Sequence, residues 1–356
     1  MIKYTYKDIT IKNNLRIIFL CGVKFRRDDK RVVLKKYLEQ NLFNKALILE
    51  EFFELSRRGE MLVYSNINLN SLFEVEILTA FLADVIFIIH ESHSTAAELG
   101  VFASNKNLYK KICILSANEL NIEENKLSGF IELAFSRSNL NIPNIEFYPN
   151  VDVNVISDNI SNYHTFFPNK SIGYNLGRKI TKFVEDNVQK EIELSYEKSR
   201  YGSSLIEKNS YYIDKSKKEI YYYVDYKLLK HYIIALFSID EFKSEIRRSS
   251  DMKQSIYITE RWYKQLVKDT ICEKEGIKLD KYEDKFRIKG YSIENIKIEV
   301  GVAYILYVLH SIKLIKLPTG SRNFVIKHDL VRLCETTFGS IINKEKYRVL
   351  GVYNEK

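Results

Sequence analysis

Residues 84–100 decide the fold of this chain, and they read Asp-Val-Ile-Phe-Ile-Ile-His-Glu-Ser-His-Ser-Thr-Ala-Ala-Glu-Leu-Gly. The five consecutive apolar residues at 85–89 are typical of a strand that is buried on both faces, as in a parallel sheet. A polar loop follows, and the residues from Thr95 to Ala103 predict a helix with Glu98 in its first turn. A buried strand, a polar loop and a helix in this order form one unit of an α/β fold.

The same alternation of strand and helix signals fills the first third of the chain. Apolar runs predict three more strands, at 15–21, 45–49 and 111–115. Helical spacing of apolar residues predicts two more helices, at 32–40 and 69–82. Such alternation produces a parallel sheet with right-handed crossovers, in which ligands bind beyond the carboxyl ends of the strands. We therefore expect a Rossmann-like domain over residues 1–165, since three of the four prolines fall between 143 and 168.

The middle of the chain is expected to connect two domains. Residues 166–235 contain a long polar helix at about 175–195, and nine of the 25 tyrosines fall within 196–232. Tyrosines interleaved with lysines can stack on nucleic-acid bases. Tyrosines also line cores and interfaces through their apolar rings, which is the more common role. Both interpretations of the tyrosine cluster stay open.

Residues 236–356 are expected to form a mainly helical domain that ends in a winged helix-turn-helix. An apolar helix at 296–310 precedes two β runs at 313–317 and 324–327, and the turn between the runs contains Gly320. Four basic residues in and beside this hairpin are candidates for phosphate contacts: Lys313, Lys316, Arg322 and Lys327. Because the apolar helix offers few base-reading side chains, protein contacts and non-specific nucleic-acid contacts fit equally well.

The charge of the chain is unevenly distributed. The formal charge is +9, from 55 Lys and Arg against 46 Asp and Glu. Residues 1–150 hold 19 basic and 18 acidic residues, so the remaining 36 basic and 28 acidic residues place the excess in the second part. An acidic partner such as nucleic acid would favour this asymmetry, and an ordinary lysine-rich surface explains it equally well.

Cysteine usage and hydropathy exclude several classes of protein. The four cysteines lie far apart with no CxxC, which indicates neither a structural zinc site nor a disulfide scaffold. The first 14 residues contain no apolar leader, and the longest near-apolar run, 300–309, is shorter than the roughly 18 residues that a membrane span requires. We therefore expect a cytoplasmic protein with no membrane segment and no bound metal.

Acidic side chains are expected to converge at the carboxyl edge of the N-terminal sheet. Glu98 follows the third predicted strand, Glu50 follows the second, and Glu76 lies on the helix between them. The first strand ends at Cys21 and Gly22, where small residues let a ligand approach the backbone. Converging carboxylates suit sugar chemistry, because some accept hydrogen bonds from ribose hydroxyls while one attacks or steadies an oxocarbenium-like centre. For an isolated Glu98, stabilisation by the helix dipole is the simpler explanation.

Five short motifs of the N-terminal part form a set. They are Phe19-Leu-Cys-Gly22, the acidic pair Glu50 and Glu51, Asp84-Val-Ile to Glu91-Ser92, Glu98-Leu-Gly-Val-Phe-Ala and Asn105-Lys-Asn-Leu. The set resembles the nucleoside 2-deoxyribosyltransferase-like effector proteins of bacterial retrons. The likeness covers about residues 15–116 and, more faintly, the hairpin at 313–327. It implies a nucleoside deoxyribosyltransferase-like catalytic domain followed by a winged-helix region.

The resemblance implies a toxin that acts in antiviral defence by abortive infection. Such a toxin is an N-glycosidase that cleaves nucleosides, nucleotides or NAD, and it needs no cofactor besides that substrate. It is held inactive by a reverse transcriptase bound to its branched RNA–DNA product, the msDNA made from a noncoding RNA, and is released on phage infection. A homo-oligomer is also implied, because such domains tend to complete their sites across subunits.

The resemblance also assigns roles to individual residues. Glu98 takes the place of the nucleophilic glutamate, and Glu76 that of the acid that contacts the base or the acid–base machinery. The remaining residues expected to bind substrate are Phe19, Cys21, Gly22, Glu50, Asp84, Glu91 and Ser92. The loop departs from the family pattern because His90 stands where proline is expected, which affects substrate preference more than chemistry.

A non-enzymatic alternative is a nucleotide-sensing, DNA-binding regulator. Its distinguishing feature is a recognition helix with exposed Arg, Asn or Gln. The apolar helix before the hairpin lacks such residues.

Overall fold

The computed structural model of the chain forms two compact units. The parallel-sheet unit lies within residues 15–190, and the C-terminal unit comprises residues up to 14 together with those from 191 onward. None of the helices in the described segments combines the length and the apolar character that crossing a bilayer requires. The residues described are 2–12, 14–23, 29–51, 72–90, 93–103, 105–118, 144–149, 171–200, 208–289, 296–318 and 323–346.

The first two strands belong to the C-terminal unit and not to the N-terminal domain expected from the sequence. Strand β1 (Ile2–Tyr6) pairs antiparallel with residues 342–346, and β2 (Ile9–Lys12) pairs antiparallel with residues 191–194. The expected boundaries at 165 and 235 therefore do not coincide with the limits of the units. Pairing between strands so distant along the chain leaves no local signal in the sequence.

Five parallel strands form the sheet of the parallel-sheet unit in the described residues. They are β3 (Arg16–Cys21), β4 (Asn44–Leu47), β5 (Val85–His90), β6 (Ile112–Asn118) and β7 (Asn144–Pro149). Every neighbouring pair is parallel, and the order is β4-β3-β5-β6-β7. The α/β class and the parallel sheet are thus confirmed, and this strand order is one of the two that are common among doubly wound sheets.

The helices of this unit connect and flank the strands. They are α1 (Lys30–Leu38), α2 (Leu72–Leu82), α3 (His93–Ala103), α4 (Lys106–Tyr109) and α5 (Tyr174–Asn187), with a 3-10 turn at Leu49–Glu51 after β4. The polar helix predicted at about 175–195 ends at Asn187, because the residues from 191 form a strand with β2.

Helices cover both faces of the parallel sheet. On one face, the Phe87 ring packs against Phe183 of α5 with centroids 5.7 Å apart, and Leu34 of α1 joins the same core. On the other face, the Phe19 ring packs edge-on against Phe102 of α3 with centroids 6.0 Å apart. Burial on both faces explains the uninterrupted apolar run of β5.

The C-terminal unit contains a four-stranded sheet in the order β12-β11-β10-β9 besides its helices. Its elements are β8 (Glu191–Leu194), β9 (Tyr196–Lys198), β10 (Asn209–Asp214), β11 (Glu219–Asp225), α6 (Tyr226–Leu236), α7 (Asp240–Ile246), α8 (Met252–Glu275), β12 (Glu283–Lys289), α9 (Ile298–Ser311), β13 (Ile315–Lys316), β14 (Val325–Ile326), α10 (His328–Thr336), a 3-10 turn (Phe338–Ile341) and β15 (Ile342–Lys346). The expectation of a mainly helical region overlooked β12, because that edge strand is charged and carries only two apolar residues.

Most tyrosines of the middle segment lie in the core of the C-terminal unit. Along β11, Tyr222 is buried and its ring stacks on Phe286 with centroids 4.2 Å apart, whereas Tyr221 and Tyr223 on the opposite face are partly exposed. The other buried tyrosines of the segment are Tyr196, Tyr211, Tyr226 and Tyr232. The core interpretation is therefore confirmed for these five residues.

The predicted hairpin is present as β13 and β14. They pair antiparallel with Ile315 opposite Ile326, and residues 319–322 of the turn lie outside the described residues. The preceding helix α9 is buried along nearly its whole length, including Val302 and Leu309 as predicted.

Candidate active site

The strand order places the expected ligand crevice between β3 and β5. The chain leaves β3 towards α1 on one face and leaves β5 towards α3 on the other, so the carboxyl ends of these neighbouring strands diverge. In α/β sheets, ligands bind at such a switch point, outside the carboxyl ends. Cys21 lies opposite Ile88 in the register, so Gly22 and His90 follow at this edge.

Glu98 lies in the second turn of α3, because that helix begins at His93, two residues earlier than predicted. Phe102 is one turn further along, and its ring packs on Phe19 of β3. Since α3 runs antiparallel to the strands, one turn back from Phe102 brings Glu98 towards Cys21, two residues beyond Phe19. Burial raises the pKa of the Cys21 thiol well above its usual range, and Glu98 is the next largest cause.

The Glu98 carboxyl is held where its ionised form is disfavoured. Its Oε2 atom is buried and accepts no hydrogen bond from a described residue. Burial, followed by the charges of Glu76 and Glu50, raises the pKa of Glu98 from 4.5 to about 7, while Arg31 acts in the opposite direction. The helix dipole acts mainly within the first turn, so it does not account for this carboxyl.

Glu76 reaches the same environment from α2. It is partly buried, and burial followed by the charge of Glu50 raises its pKa. The structure thus brings together Glu50, Glu76 and Glu98, which we call the carboxylate cluster. Because of these influences, Glu76 and Glu98 retain a proton to a higher pH than isolated carboxyls would.

Arg31 is a residue of this candidate site that sequence reasoning missed. Its guanidinium is 1% exposed, donates two hydrogen bonds to Asp29 at 2.9 and 3.1 Å, and donates one to Glu50 Oε1 at 2.8 Å. Asp29 also caps α1, since its Oδ1 accepts a hydrogen bond from the Arg31 backbone N–H at 2.9 Å. The available signal was an Asp before the helix that follows β3, but the contact of Arg31 with Glu50 is tertiary.

Gly22 leaves room for the Arg31 side chain, whereas the sequence predicted that this glycine lets a ligand approach the backbone. A Cβ atom on Gly22 would lie 3.1 Å from Cδ of Arg31 and 3.4 Å from Cβ of Ile89. The space beside Gly22 is therefore filled by protein. Cys21 is buried with a raised thiol pKa, so it stays a neutral thiol and is a poor nucleophile.

Two other predicted substrate-binding residues lie away from the carboxylate cluster. Phe19 is buried in the core beneath Cys21. Asp84 precedes β5 and pairs with Ile17 at the amino edge of the sheet, through two hydrogen bonds of 2.7 Å. Six residues of strand separate Asp84 from the carboxyl edge, roughly 20 Å. Asp84 therefore fixes the start of β5 against β3, and it lies away from the edge at which its contact with substrate was predicted.

The loop between β5 and α3 is described only in part. Glu91 and Ser92 lie outside the described residues. His90 ends β5 with its Nδ1 atom buried and without a hydrogen-bond partner among the described residues, and burial lowers its pKa. A neutral imidazole thus stands at the same edge as the carboxylate cluster. In the described residues, no group of three or more His, Cys, Asp or Glu side chains is placed to hold a metal ion.

The structure places three of the four predicted basic residues on or beside the hairpin of the C-terminal unit. Lys313 and Lys327 are exposed, Lys316 is partly exposed on β13, and Arg322 lies outside the described residues. Lys313 has a φ of 62°, so the chain turns sharply between α9 and β13.

Comparisons with known proteins give a family match and a relative. Residues 27–317 match the model of a family described as STM3845 retron effector protein, and this range includes the carboxylate cluster and β13. A relative from Escherichia coli, described as "Retron Ec73 putative ribosyltransferase/DNA-binding protein", is 35% identical over 109 residues. The alignment covers 29% of this chain and 33% of the relative, so the chain spans only about a third of the relative's length.

Proposed function

Since the chain belongs to the STM3845 retron effector protein family, we propose that it is the toxic effector of a retron anti-phage system. Its parallel-sheet unit, with a nucleoside deoxyribosyltransferase-like site, cleaves an N-glycosidic bond of NAD, a nucleoside or a nucleotide. The observation that carries the proposal is the Glu98 carboxyl, whose Oε2 atom is buried without a described hydrogen-bond partner, in a cluster of carboxylates at the switch point of the sheet. The word ribosyltransferase in the relative's description supports glycosyl chemistry.

In the proposed reaction, the Glu98 carboxylate attacks C1′ of the sugar. The C1′–N bond breaks and its electron pair leaves with the base, while a Glu98 oxygen bonds to C1′. Water then attacks C1′, the bond to Glu98 breaks, and its electron pair returns to the carboxylate. The proton lost by the water passes to a neighbouring carboxylate of the cluster, such as Glu76.

The raised pKa values suit this division of labour. A nucleophilic Glu98 must be ionised, and its pKa of about 7 predicts that kcat/KM rises as the pH increases through that value. Glu76, whose pKa is also raised, can hold a proton for a leaving base. Nicotinamide leaves NAD as a neutral molecule and needs no proton, whereas a purine leaves more readily when protonated. Glu76→Gln is therefore expected to slow purine release more than nicotinamide release.

Purified protein incubated with NAD and with purine nucleosides and nucleotides tests the proposal. We expect free base from wild type, and about 1000-fold or more slower release from Glu98→Gln, because the nucleophile is lost. Glu185→Gln, which changes an exposed carboxylate of α5, is the matched control and should retain full activity. Equal product from wild type and Glu98→Gln would exclude Glu98 from the mechanism. No product from any of these substrates would favour the nucleotide-sensing DNA-binding regulator.

The proposed partners are a reverse transcriptase and its msDNA, which hold the effector inactive until phage infection. Expression of the chain alone is then expected to arrest growth, and expression of Glu98→Gln is not. Co-expression of the reverse transcriptase with its noncoding RNA should restore growth with wild type. Harmless expression of wild type alone, in a host that contains the substrate, would count against an effector. A homo-oligomer and a winged-helix region complete the proposal.

A further inference from the structure

The helix that precedes the hairpin in the C-terminal unit is not available for contacts with nucleic acid, as its apolar pattern predicted. Helix α9 leads into the hairpin, and Val302, Ile305 and Leu309 are each at most 2% exposed. Its buried residues lie on every side of the helix. Contacts with nucleic acid, which the charge of this part of the chain favours, therefore need another element.

Helices α7 and α8 are joined by a short turn that carries two exposed arginines. The turn holds Arg247 and Arg248, both exposed, and it is stabilised by short hydrogen bonds. Asp251 caps α8 by accepting a hydrogen bond from the Gln254 N–H at 2.8 Å, and the Ser249 hydroxyl donates to the Ile246 carbonyl at 2.7 Å. The arginines thus project from a fixed backbone.

Helix α8 carries further basic residues along one side. Lys253, Tyr257 and Arg261 follow at intervals of four residues and are all exposed, so they form one stripe about 12 Å long. The Tyr257 side chain is 62% exposed, and the Arg261 guanidinium lies 5.9 Å from the centroid of its ring. We call Arg247, Arg248, Lys253, Tyr257 and Arg261 the basic stripe.

The cations of the basic stripe differ in how they are neutralised. Arg261 is paired with Glu245, which fixes it beside the Tyr257 ring. Arg247, Arg248 and Lys253 form no ion pair with another described residue. Three exposed cations and an exposed aromatic ring on consecutive elements match the chemistry of single-stranded nucleic acid, whose phosphates bind cations and whose unstacked bases bind aromatic faces.

We propose that the basic stripe is a docking surface for single-stranded nucleic acid. Tyr257 stacks on an unpaired base, and Arg247, Arg248 and Lys253 contact phosphates. A double-stranded partner would offer no free base face to Tyr257, which is why the single-stranded form is favoured. This surface does not depend on Glu98 or on any glycosidase activity, so the failure of one proposal leaves the other intact.

Fluorescence anisotropy of a labelled oligothymidylate measures the binding with the full-length protein. Three phosphate contacts on a single strand predict a slope of about −2 for log affinity against log salt concentration. Replacing Arg247, Arg248 and Lys253 together by glutamine should remove most of that slope. Tyr257→Ala should weaken binding by about 5- to 150-fold at an unchanged slope, because the lost interaction is stacking. Separate effects on slope and affinity distinguish the two kinds of contact.

A second reporter lies beside the surface. Trp262, the single tryptophan of the chain, donates from its Nε1 to Glu245 Oε2 at 2.8 Å, the same carboxylate that holds Arg261. Binding of an unlabelled oligonucleotide at the basic stripe should therefore change the intrinsic fluorescence. Absence of this change despite anisotropy-detected binding would place the contact elsewhere.

Matched variants decide between this surface and its competitors. Lys278→Gln with Lys281→Gln, which changes exposed lysines beyond α8, should leave both affinity and slope unchanged. Loss of binding in Lys313→Gln with Lys327→Gln, but not in the stripe variants, would assign the contact to the hairpin and overturn the proposal. Tighter binding of a duplex that is insensitive to Tyr257→Ala would overturn it as well, and so would no binding of either nucleic acid.

Discussion

Replacing Glu98 with glutamine is expected to stabilise the parallel-sheet unit above neutral pH. Burial and the charges of Glu76 and Glu50 raise the pKa of Glu98 from 4.5 to about 7 in the folded chain. A carboxyl with a raised pKa favours the folded state most below pH 4.5, and this contribution is lost as the pH rises through 7. Glutamine resembles the protonated carboxyl in shape and charge, so the variant does not lose this stability.

The size of the effect follows from the two pKa values. Each tenfold change in a proton-binding constant is worth about 1.4 kcal/mol, so the interval between 4.5 and about 7 corresponds to about 3 kcal/mol. Glu98 keeps some contact with solvent, and Glu76 ionises more easily once the Glu98 charge is removed. We therefore expect Glu98→Gln to exceed wild type by about 2 to 3 kcal/mol at pH 8, and by close to zero at pH 4.5.

Urea unfolding at pH values from 4.5 to 8 measures this difference. Because the chain has two compact units, hydrogen exchange of peptides from β3 and β5 identifies the transition that belongs to the parallel-sheet unit. Glu185→Gln should show no comparable pH-dependent gain, since Glu185 is exposed. A stability gain of Glu98→Gln that does not grow with pH, or a loss of stability at pH 8, would refute the electrostatic account of this site.

Arg31→Met is expected to destabilise the unit by about 3 kcal/mol in urea unfolding, because two carboxylates lose their buried partner. The same variant is expected to move the rising limb of the kcat/KM profile to higher pH, since Arg31 lowers the pKa of Glu98. An unchanged pH profile in the folded variant would contradict the second expectation. Gly22→Ala should cost about 1–2 kcal/mol by crowding Arg31 Cδ, which lies 3.1 Å from the added Cβ; an unaltered midpoint would show that the side chain yields freely. Asp84→Ala should cost about 1–3 kcal/mol because the Ile17 N–H loses its acceptor, while kcat per folded molecule stays that of wild type.

The ionised form of Glu98 costs the folded chain more free energy than the neutral form does. In the proposed reaction, the same burial that raises the Glu98 pKa also removes water from around the sugar, which strengthens electrostatic effects on an oxocarbenium-like centre. Arg31 limits the cost, because its charge is held by Asp29 and Glu50 and still lowers the Glu98 pKa. The site therefore combines a destabilising carboxyl with a fixed cation, as functional sites often do.

The sequence alone determined those helices and strands whose burial requires a recognisable pattern of apolar residues. The apolar run at 85–89 became β5, the alternation of strands and helices became a parallel sheet, and the two β runs around Gly320 became a hairpin. These signals are local, because a side chain that must be buried has to be apolar wherever its partner lies. The position of Glu98 after β5 also followed from local spacing.

Only the tertiary structure decided which distant segments meet. The pairing of β1 with β15 carries β1 into the C-terminal unit through backbone hydrogen bonds, which leave little trace in side-chain identity. Arg31 lies in the helix after β3, and Glu50 lies in the 3-10 turn after the neighbouring strand β4. No spacing along the chain predicts the contact between them. Charge and proximity in space, which set the Glu98 pKa, are properties of the folded chain, so the protonation of the site was decided there and not in the sequence.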